Sequence, residues 1–446
     1  MTNERDRVIK DPPTTWCGSV RFLGPGLILS AAIVGSGELI ATTTMGAQAG
    51  YVLLWVILLA CLFKVAIQLE YGRFCIIHGK PSFQAWNDGG RYRLLGMNAS
   101  LYAALLFMVL ITIGQGGVIG GAAQVGLLIF PSLTIYGWTL LLAGVCALLI
   151  FHGRYAPIEW LAIAMNTVFI AVLFYCLLMV QRTPYAFSVA DVASGFTFRL
   201  PPEGAVMAMS VFGIVGLGAG EIVFYPYWCI EKGYAAWTGP DDGSPAWAAR
   251  ARGWVRVMKM DALVSMVVYT VSTCAFYLLG AAVLRTEETI AQDGNQFILK
   301  LSSLFTEILG PQARVIFMIG AFTVLFSTAF ANTAGFSRMW TDWLGISGLF
   351  DPNHPAARRR SLAILAWILP FSWAAAYLFM QKPWLMVVIM GVSNTLFLIV
   401  VSYKALVFRY RYPCPALRPT VWYDIALWIG FFTINFVGIH ALIKMQ

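Results

Sequence analysis

The sequence predicts an all-α protein that crosses a lipid bilayer about eleven times, in two five-helix halves of opposite orientation followed by one extra helix. Two observations predict this fold class. Apolar residues make up 59% of the 446-residue chain and charged residues only 11%, whereas soluble proteins carry roughly 25% charged residues. A Gly-x-Gly-Glu motif also occurs twice, at 35–38 and at 218–221, each time inside an apolar segment.

Apolar runs of about 20 residues, bounded by Gly, Pro and charged residues, mark the individual spans. We predict spans 1 to 11 at 22–47, 51–78, 99–128, 135–152, 157–181, 204–231, 256–284, 311–345, 360–381, 384–409 and 421–443. The predicted organisation is one transmembrane domain, 1–446, composed of an N-terminal segment 1–21, a first repeat 22–181, a second repeat 204–409 and an extra helix 421–443. The longest predicted loops are 79–98, 232–255 and 285–310.

Lys and Arg residues fall unevenly on the two sides of these spans. One set of loops carries 22 of them and the other carries 7, while Lys64 lies inside span 2. Because short cytoplasmic loops are enriched in Lys and Arg, we expect the N-terminus in the cytoplasm. We also expect a location in the plasma or inner membrane. The net charge of +9 is then explained by orientation in a lipid bilayer, and we expect no nucleic-acid partner. The oligomeric state stays open between a monomer and an oligomer.

The two Gly-x-Gly-Glu motifs are separated by 183 residues, which equals five spans and their loops. An odd number of spans per repeat gives the second copy an inverted topology, and paired interruptions at matching positions of inverted halves point to a transporter's central site. Glycine lowers the cost of unwinding a helix. Unwound backbone must line a cavity enclosed by protein or filled with water, because lipid offers it no hydrogen bonds.

Glu38 and Glu221 each follow an interruption, at the start of a second half-helix whose dipole favours a carboxylate. A lone carboxylate at the centre of a bilayer is costly, whereas two together can neutralise one divalent cation. Oxygen ligands suit hard cations such as Mg²⁺, Ca²⁺ or Mn²⁺. The sequence therefore predicts a cation site in which backbone carbonyls complete the shell. Its predicted members are Glu38, Glu221, Gly35, Gly218, Ser36 and Gly220.

Further polar groups inside the spans are candidates for surrounding or gating this site. They are Asn394, Asn332, Gln115, Lys64, Gln68 and Tyr225. Lys64 and Gln68 lie at i, i+4 on one face of span 2, where they either brace the helix in an ion-pair network or take part in coupling or gating. Tyr225, in the segment "FYPYW" after the second motif, belongs either to a gate or to a kinked, packed helix. The side-chain amides of the Asn and Gln residues could instead form ordinary hydrogen bonds between helices.

The segment from Gly24 to Lys80 resembles spans 1 and 2 of the NRAMP metal-ion transporters. The matching motifs are the G-P-G start at 24–26, the helix break at 35–38, the G-A-x-A-G turn at 46–50, the L-L-W at 53–55 and Gln68. This resemblance implies a LeuT-like fold with inverted five-helix repeats and with helices 1 and 6 broken at the site. It also implies transport of a divalent cation (Mn, Fe or Mg) by alternating access, with the metal as transported substrate and no resident cofactor.

Several family positions differ in this sequence. The family's metal-binding Asp falls on Gly35 and its Asn falls on Glu38, so the charge is displaced by three residues. The span-6 motif M-P-H-N falls on 220–223, and the acidic pair of span 3 falls on Gly114 and Gly117. The resemblance thus implies a rebuilt site suited to a harder or hydrated ion. Protons are a second candidate partner, exchanging at one of the glutamates.

Two alternatives belong to other functional classes. A small organic solute such as an amino acid or amine would place its ammonium group between the glutamates. The other is a membrane enzyme or a non-transporting sensor: neither H-E-x-x-H, G-x-S-x-G nor a phosphate loop occurs in a suitable context, and a flux measurement in proteoliposomes separates this class from the transporters. We therefore predict a transporter and not an enzyme.

Overall fold

The computed structural model describes residues 9–35, 37–88, 92–199, 211–283, 310–352 and 354–444. Across these residues the protein is helical apart from one two-stranded hairpin, in which Arg93–Leu94 pairs with Met97–Asn98. Nine helices in these ranges are long and apolar enough to cross a membrane: Leu54–His78, Ala99–Ile129, Tyr155–Val180, Val211–Lys232, Pro245–Val283, Arg314–Ile346, Pro355–Met380, Pro383–Arg411 and Val421–His440. With the shorter Ile135–Ile150 and the divided span 1, these account for the eleven predicted spans.

Short helices connect or flank these spans. They are Trp16–Val20, Ser82–Asp88, Val189–Ser194, Tyr234–Thr238 and the 3₁₀ turn Pro415–Leu417. Two of the longest predicted loops, 79–98 and 232–255, therefore contain regular structure, with Ser82–Asp88 in the first. The predicted loop 232–255 holds Tyr234–Thr238 and the first turns of Pro245–Val283, because its Ala- and Arg-rich part favours a helix even outside the apolar run. The predicted loop 285–310 lies, except for Gly310, outside the described residues.

Proline sets the start of several spans. Pro25, Pro311, Pro355 and Pro383 each stand in the first turn of their helix. Proline is favoured there because the first helical residues need no N–H partner and its fixed φ suits the helix. Elsewhere a side chain caps the helix, as where the Asn98 side chain accepts a hydrogen bond from the Ser100 amide. The span boundaries thus follow from local sequence.

Span 1 is divided into two half-helices. Half-helix 1a is Pro25–Ile33, and half-helix 1b consists of the π-helical turn Gly37–Thr42 followed by the α-helix Thr43–Ala49. Half-helix 1a packs against spans 5, 7 and 8, while half-helix 1b packs against span 7. A Cβ at Gly46 would lie 2.3 Å from a span 7 carbonyl, so half-helix 1b approaches span 7 backbone to backbone.

Span 6 is divided as well. Residues 211–214 are helical (half-helix 6a), residues 215–218 are not, and half-helix 6b is Ala219–Lys232. The interruption lies three residues before the predicted 218–221. Gly216 explains the shift, since its φ of +65° is a left-handed conformation that glycine adopts without steric cost. Half-helix 6b packs against spans 2, 8 and 10, so both interruptions lie inside the helix bundle.

Candidate functional site

The two predicted glutamates lie in the first turns that follow the two interruptions. Glu38 belongs to the π-helical turn of half-helix 1b and is fully buried. Its Oε2 accepts a hydrogen bond from the Gly35 amide at 3.0 Å, and its Oε1 has no hydrogen-bond partner among the described residues. Glu221 lies in the first turn of half-helix 6b and is 8% exposed. The side chain of Glu38 is also within electrostatic range of Glu221.

Thr328 of span 8 closes the end of half-helix 1a. Its hydroxyl lies 3.2 Å from the Ala31 carbonyl oxygen and 3.0 Å from that of Val34, so it satisfies carbonyls that the helix leaves free. A Cβ at Gly35 would lie 2.0 Å from the Thr328 hydroxyl oxygen. Glycine is therefore required at 35 for this contact, and the nearest carboxylate in the chain, three residues later, is that of Glu38.

Asn394 of span 10 holds the start of half-helix 6b. Its Oδ1 accepts from the Ala219 amide at 2.9 Å, and its Nδ2 donates to the Met390 carbonyl at 3.1 Å. A Cβ at Gly218 would lie 2.3 Å from Glu221 Oε2 and 2.8 Å from Asn394 Oδ1. A carboxylate oxygen and an amide oxygen thus converge over Gly218, in the space that the missing side chain leaves free.

Lys64 closes the end of half-helix 6a. Its Nζ donates to the Val215 carbonyl at 2.9 Å and also to the Phe212 carbonyl. The Lys64 side chain is fully buried and is within electrostatic range of both Glu38 and Glu221. In their ionised forms, these three side chains place two negative charges and one positive charge at the interruptions.

The structure brings together most of the residues that the sequence predicts for the site. Glu38, Glu221, Gly35, Gly218 and Asn394 lie at the interruptions, with Lys64 beside them. The carbonyls of Gly35 and Gly218, predicted as ligands, each accept a helical hydrogen bond, from the Leu39 amide at 2.8 Å and the Ile222 amide at 3.2 Å. Their ligand role remains a prediction that uses the second lone pair of each oxygen. Ser36 lies outside the described residues.

Two predicted residues, Gly220 and Tyr225, point elsewhere, while Gln115 stays a candidate whose Oε1 has no hydrogen-bond partner in the described part of the chain. A Cβ at Gly220 would lie 2.8 Å from the Phe336 ring, so this glycine faces a packed aromatic side chain. Tyr225 lies one helical turn beyond Glu221, and its hydroxyl donates to Asp261 at 3.1 Å. The Gln115 amide donates to the Met390 sulfur at 3.8 Å. Tyr225 is fully buried, which favours the packed-helix interpretation over a gate that contacts the ion.

Gln68 and Asn332 are buried amides whose polar atoms are incompletely satisfied. Both polar atoms of the Gln68 side chain and Oδ1 of Asn332 lack a hydrogen-bond partner in the described part of the chain. Asn332 lies one helical turn from Thr328, which contacts half-helix 1a. The two residues therefore stay candidates for the surroundings of the site.

Two residues at the interruptions were not predicted from the sequence. Thr328 carries no local signal, because a threonine in an apolar helix is unremarkable without its partner. Cys61 lies against the second interruption, where a Cβ at Gly216 would be 3.0 Å from its sulfur. The signal for Cys61 was its position, one turn before Lys64 on the same face of span 2.

The polar side chains at the two interruptions offer oxygen atoms to a cation. Within the described residues, no group of three or more His, Cys, Asp or Glu side chains is placed to hold a metal ion. A cation bound here would be held by two carboxylates, and neutral oxygens such as Asn394 Oδ1 would complete its coordination shell. Such a set matches the preference of hard cations.

Residues 26–444 match the family model described as natural resistance-associated macrophage protein-like. The chain belongs to the Nramp family. An uncharacterized protein of Pasteurella multocida is 23% identical to this Nramp chain over 336 residues, which are 73% of the chain and 71% of the relative. The divalent metal cation transporter MntH of Xanthomonas campestris is 29% identical over 202 residues, 44% of each protein.

A solved structure of the manganese transporter of Eremococcus coleocola, in a mutant form, has the same fold. It superimposes with a TM-score of 0.71 at 16% sequence identity and covers 96% of the Nramp chain and 88% of its own. The predictions of a LeuT-like all-α fold and of membership in this family are confirmed. The chain is a multi-pass membrane transport protein and not an enzyme.

Proposed function

We propose that this protein carries a divalent metal cation across the membrane by alternating access, with Glu38 and Glu221 as the charged ligands. The observation that carries the proposal is the burial of two carboxylates at paired helix interruptions in a chain of the Nramp family. Two similar proteins, from Xanthomonas campestris and Eremococcus coleocola, are named as divalent metal and manganese transporters.

The free oxygen of Glu38 supports a ligand role. A buried carboxylate oxygen without a hydrogen bond is costly to desolvate, and a bound cation would repay that cost. Glu221 and Asn394 offer further oxygens over Gly218, at the second interruption. Because all of these are oxygen ligands, we expect Mn²⁺ or Mg²⁺ to bind more tightly than the softer Cd²⁺.

A closed end of the bundle supports alternating access. Asp261 accepts hydrogen bonds from the Gly24 amide at 2.8 Å and the Gly26 amide at 2.6 Å, which fastens the start of half-helix 1a to span 7. Lys232 bridges Glu159 at 2.5 Å and the Leu23 carbonyl at 3.1 Å. This end is the predicted cytoplasmic one. Release of the ion to that side would require these contacts to break.

Uptake of Mg²⁺, Mn²⁺, Ca²⁺ and Cd²⁺ into proteoliposomes tests the proposal. Wild type should take up at least one hard cation, and Glu38→Gln and Glu221→Gln should abolish that uptake while remaining folded. The matched control is Asp424→Asn, the same change at a carboxylate that pairs with Arg409 on another face of the bundle. Uptake that persists in both glutamine variants would remove these residues from the site.

The same vesicles address proton coupling and the alternative substrate. A pH gradient that drives metal uptake would establish proton coupling, whereas equal uptake with and without the gradient would indicate a uniporter. A small organic amine that stabilises the wild type against heat, without any stabilisation by metal, would favour a carrier of organic solutes instead.

A further inference from the structure

The end of half-helix 6a is closed by a side chain that carries its own positive charge. The Phe212 and Val215 carbonyls lie at this end and have no following helical turn directly after them, since the chain is interrupted at 215–218. Lys64 Nζ donates to both of them. In transporters with broken helices, the carbonyl end of such a half-helix commonly coordinates a coupling ion such as Na⁺.

We infer that Lys64 is a tethered cation that occupies the place of a free coupling ion, and that it lets the carrier return empty without a monovalent co-ion. This inference rests on the proposed function and adds a role for a residue outside the pair of metal ligands. The ammonium group is covalently attached to span 2, so it stays in the protein through every cycle.

The charges around the site explain why a resident cation matters. Lys64 is within electrostatic range of both Glu38 and Glu221, and the thiol of Cys61 is within range of Lys64 and Glu38. Without Lys64 the empty carrier would expose two uncompensated carboxylates to the membrane interior, which is unfavourable. With all three side chains ionised, the empty site carries one net negative charge, and the loaded site carries one net positive charge.

A purely structural role for Lys64 makes different predictions. If the ammonium only braced span 2 against span 6, its removal would lower stability and leave ion preference unchanged. If the ammonium replaces a coupling ion, its removal leaves the Phe212 and Val215 carbonyls free to bind a small monovalent cation. The two roles are therefore separated by a response to Na⁺.

The test uses the neutral variants Lys64→Met and Lys64→Gln, since glutamine keeps N–H donors for the carbonyls but lacks the charge. The matched control is Lys404→Met, which removes another buried lysine, one that lies 3.5 Å from Asn98 Oδ1 and over the Trp86 ring. Thermal unfolding in detergent is measured in Na⁺, K⁺ and choline. Divalent-ion affinity is measured by calorimetry, and flux is measured in proteoliposomes.

We expect Na⁺ to stabilise both Lys64 variants but neither wild type nor Lys404→Met. In choline, the Lys64 variants should bind the divalent ion at least about tenfold more tightly, because a repelling unit charge is gone. Their flux should be slower than in wild type and should be restored by Na⁺. Tighter binding combined with slower turnover is not expected from a loss of packing alone.

Folded Lys64 variants that ignore monovalent cations and bind metal like wild type would overturn the inference. So would a wild-type flux that requires a Na⁺ or K⁺ gradient, which is decisive even if neither variant folds. Failure of the proposed function gives a different result, because wild type would then move no divalent ion. The response of the Lys64 variants to Na⁺ would still decide the role of the lysine.

Discussion

Replacing Asp261 by asparagine tests the closure of the predicted cytoplasmic end. In the closed arrangement, each carboxylate oxygen of Asp261 accepts a hydrogen bond from one backbone amide at the start of half-helix 1a, that of Gly24 at 2.8 Å or that of Gly26 at 2.6 Å. The carboxylate also accepts a hydrogen bond from the Tyr225 hydroxyl. Asparagine keeps the shape but offers only one acceptor oxygen, and its NH₂ group faces an amide donor. At least one hydrogen bond to a charged group is lost.

The expected magnitude follows from that loss. A hydrogen bond to a charged group contributes about 1.5–3 kcal/mol. If the bond exists only in the closed state, the open population rises by about 10- to 150-fold. The effect acts on one end of half-helix 1a, since the Thr328 contact at its other end is unchanged.

Hydrogen–deuterium exchange measures this opening directly, because the two amides that Asp261 holds are the reporters. In Asp261→Asn, the peptide that contains Gly24 and Gly26 should exchange at least about tenfold faster than in wild type, in line with local opening. Peptides from Ile135–Ile150 should be unchanged. Unaltered exchange at Gly24 and Gly26 would refute the view that Asp261 keeps this end closed.

Three further predictions concern packing and the site. Gly35→Ala should cost about 1–3 kcal/mol of stability in thermal unfolding, because its Cβ would meet the Thr328 hydroxyl. Adding Thr328→Ala should recover part of that stability. Gly46→Ala should unfold at a lower temperature than wild type, since its Cβ would meet a backbone carbonyl at 2.3 Å. Gly144→Ala is the matched control, because its Cβ would meet open space, and it should be neutral or stabilising by up to about 1 kcal/mol. Asn394→Ala should weaken metal binding by about 10- to 100-fold in calorimetry, because it removes an oxygen beside Glu221 and the partner of the Ala219 amide. An affinity equal to that of wild type would place the ion away from Asn394.

The spans and both interruptions were predictable because their signals are local. Long apolar runs require helices in a membrane, and the glycine pairs of 35–38 and 218–221 mark where those helices are interrupted. The second interruption begins three residues before its motif and ends at the motif's first glycine, Gly218, because the left-handed turn is made at Gly216. A run of small residues does not reveal which glycine adopts the left-handed conformation.

The partners of the site residues were less predictable, because they depend on packing between distant spans. Lys64 was visible as a charge inside span 2, but its bonds reach carbonyls about 150 residues away. Thr328 and Asn394 close the two interruptions from spans 8 and 10, and only Asn394 had a signal, as an amide in an apolar helix. Tyr225 was a candidate because it follows the second motif, but its position on half-helix 6b directs its hydroxyl to Asp261.

Direct binding of Mn²⁺ and Mg²⁺ to the purified protein, measured by titration calorimetry, tests the central claim that Glu38 and Glu221 hold one divalent ion together. We predict one bound ion in wild type and in Asp424→Asn, and a loss of at least about 100-fold in affinity, about 2.8 kcal/mol, in Glu38→Gln and in Glu221→Gln. Wild-type affinity in the Glu38→Gln/Glu221→Gln double variant would contradict the account.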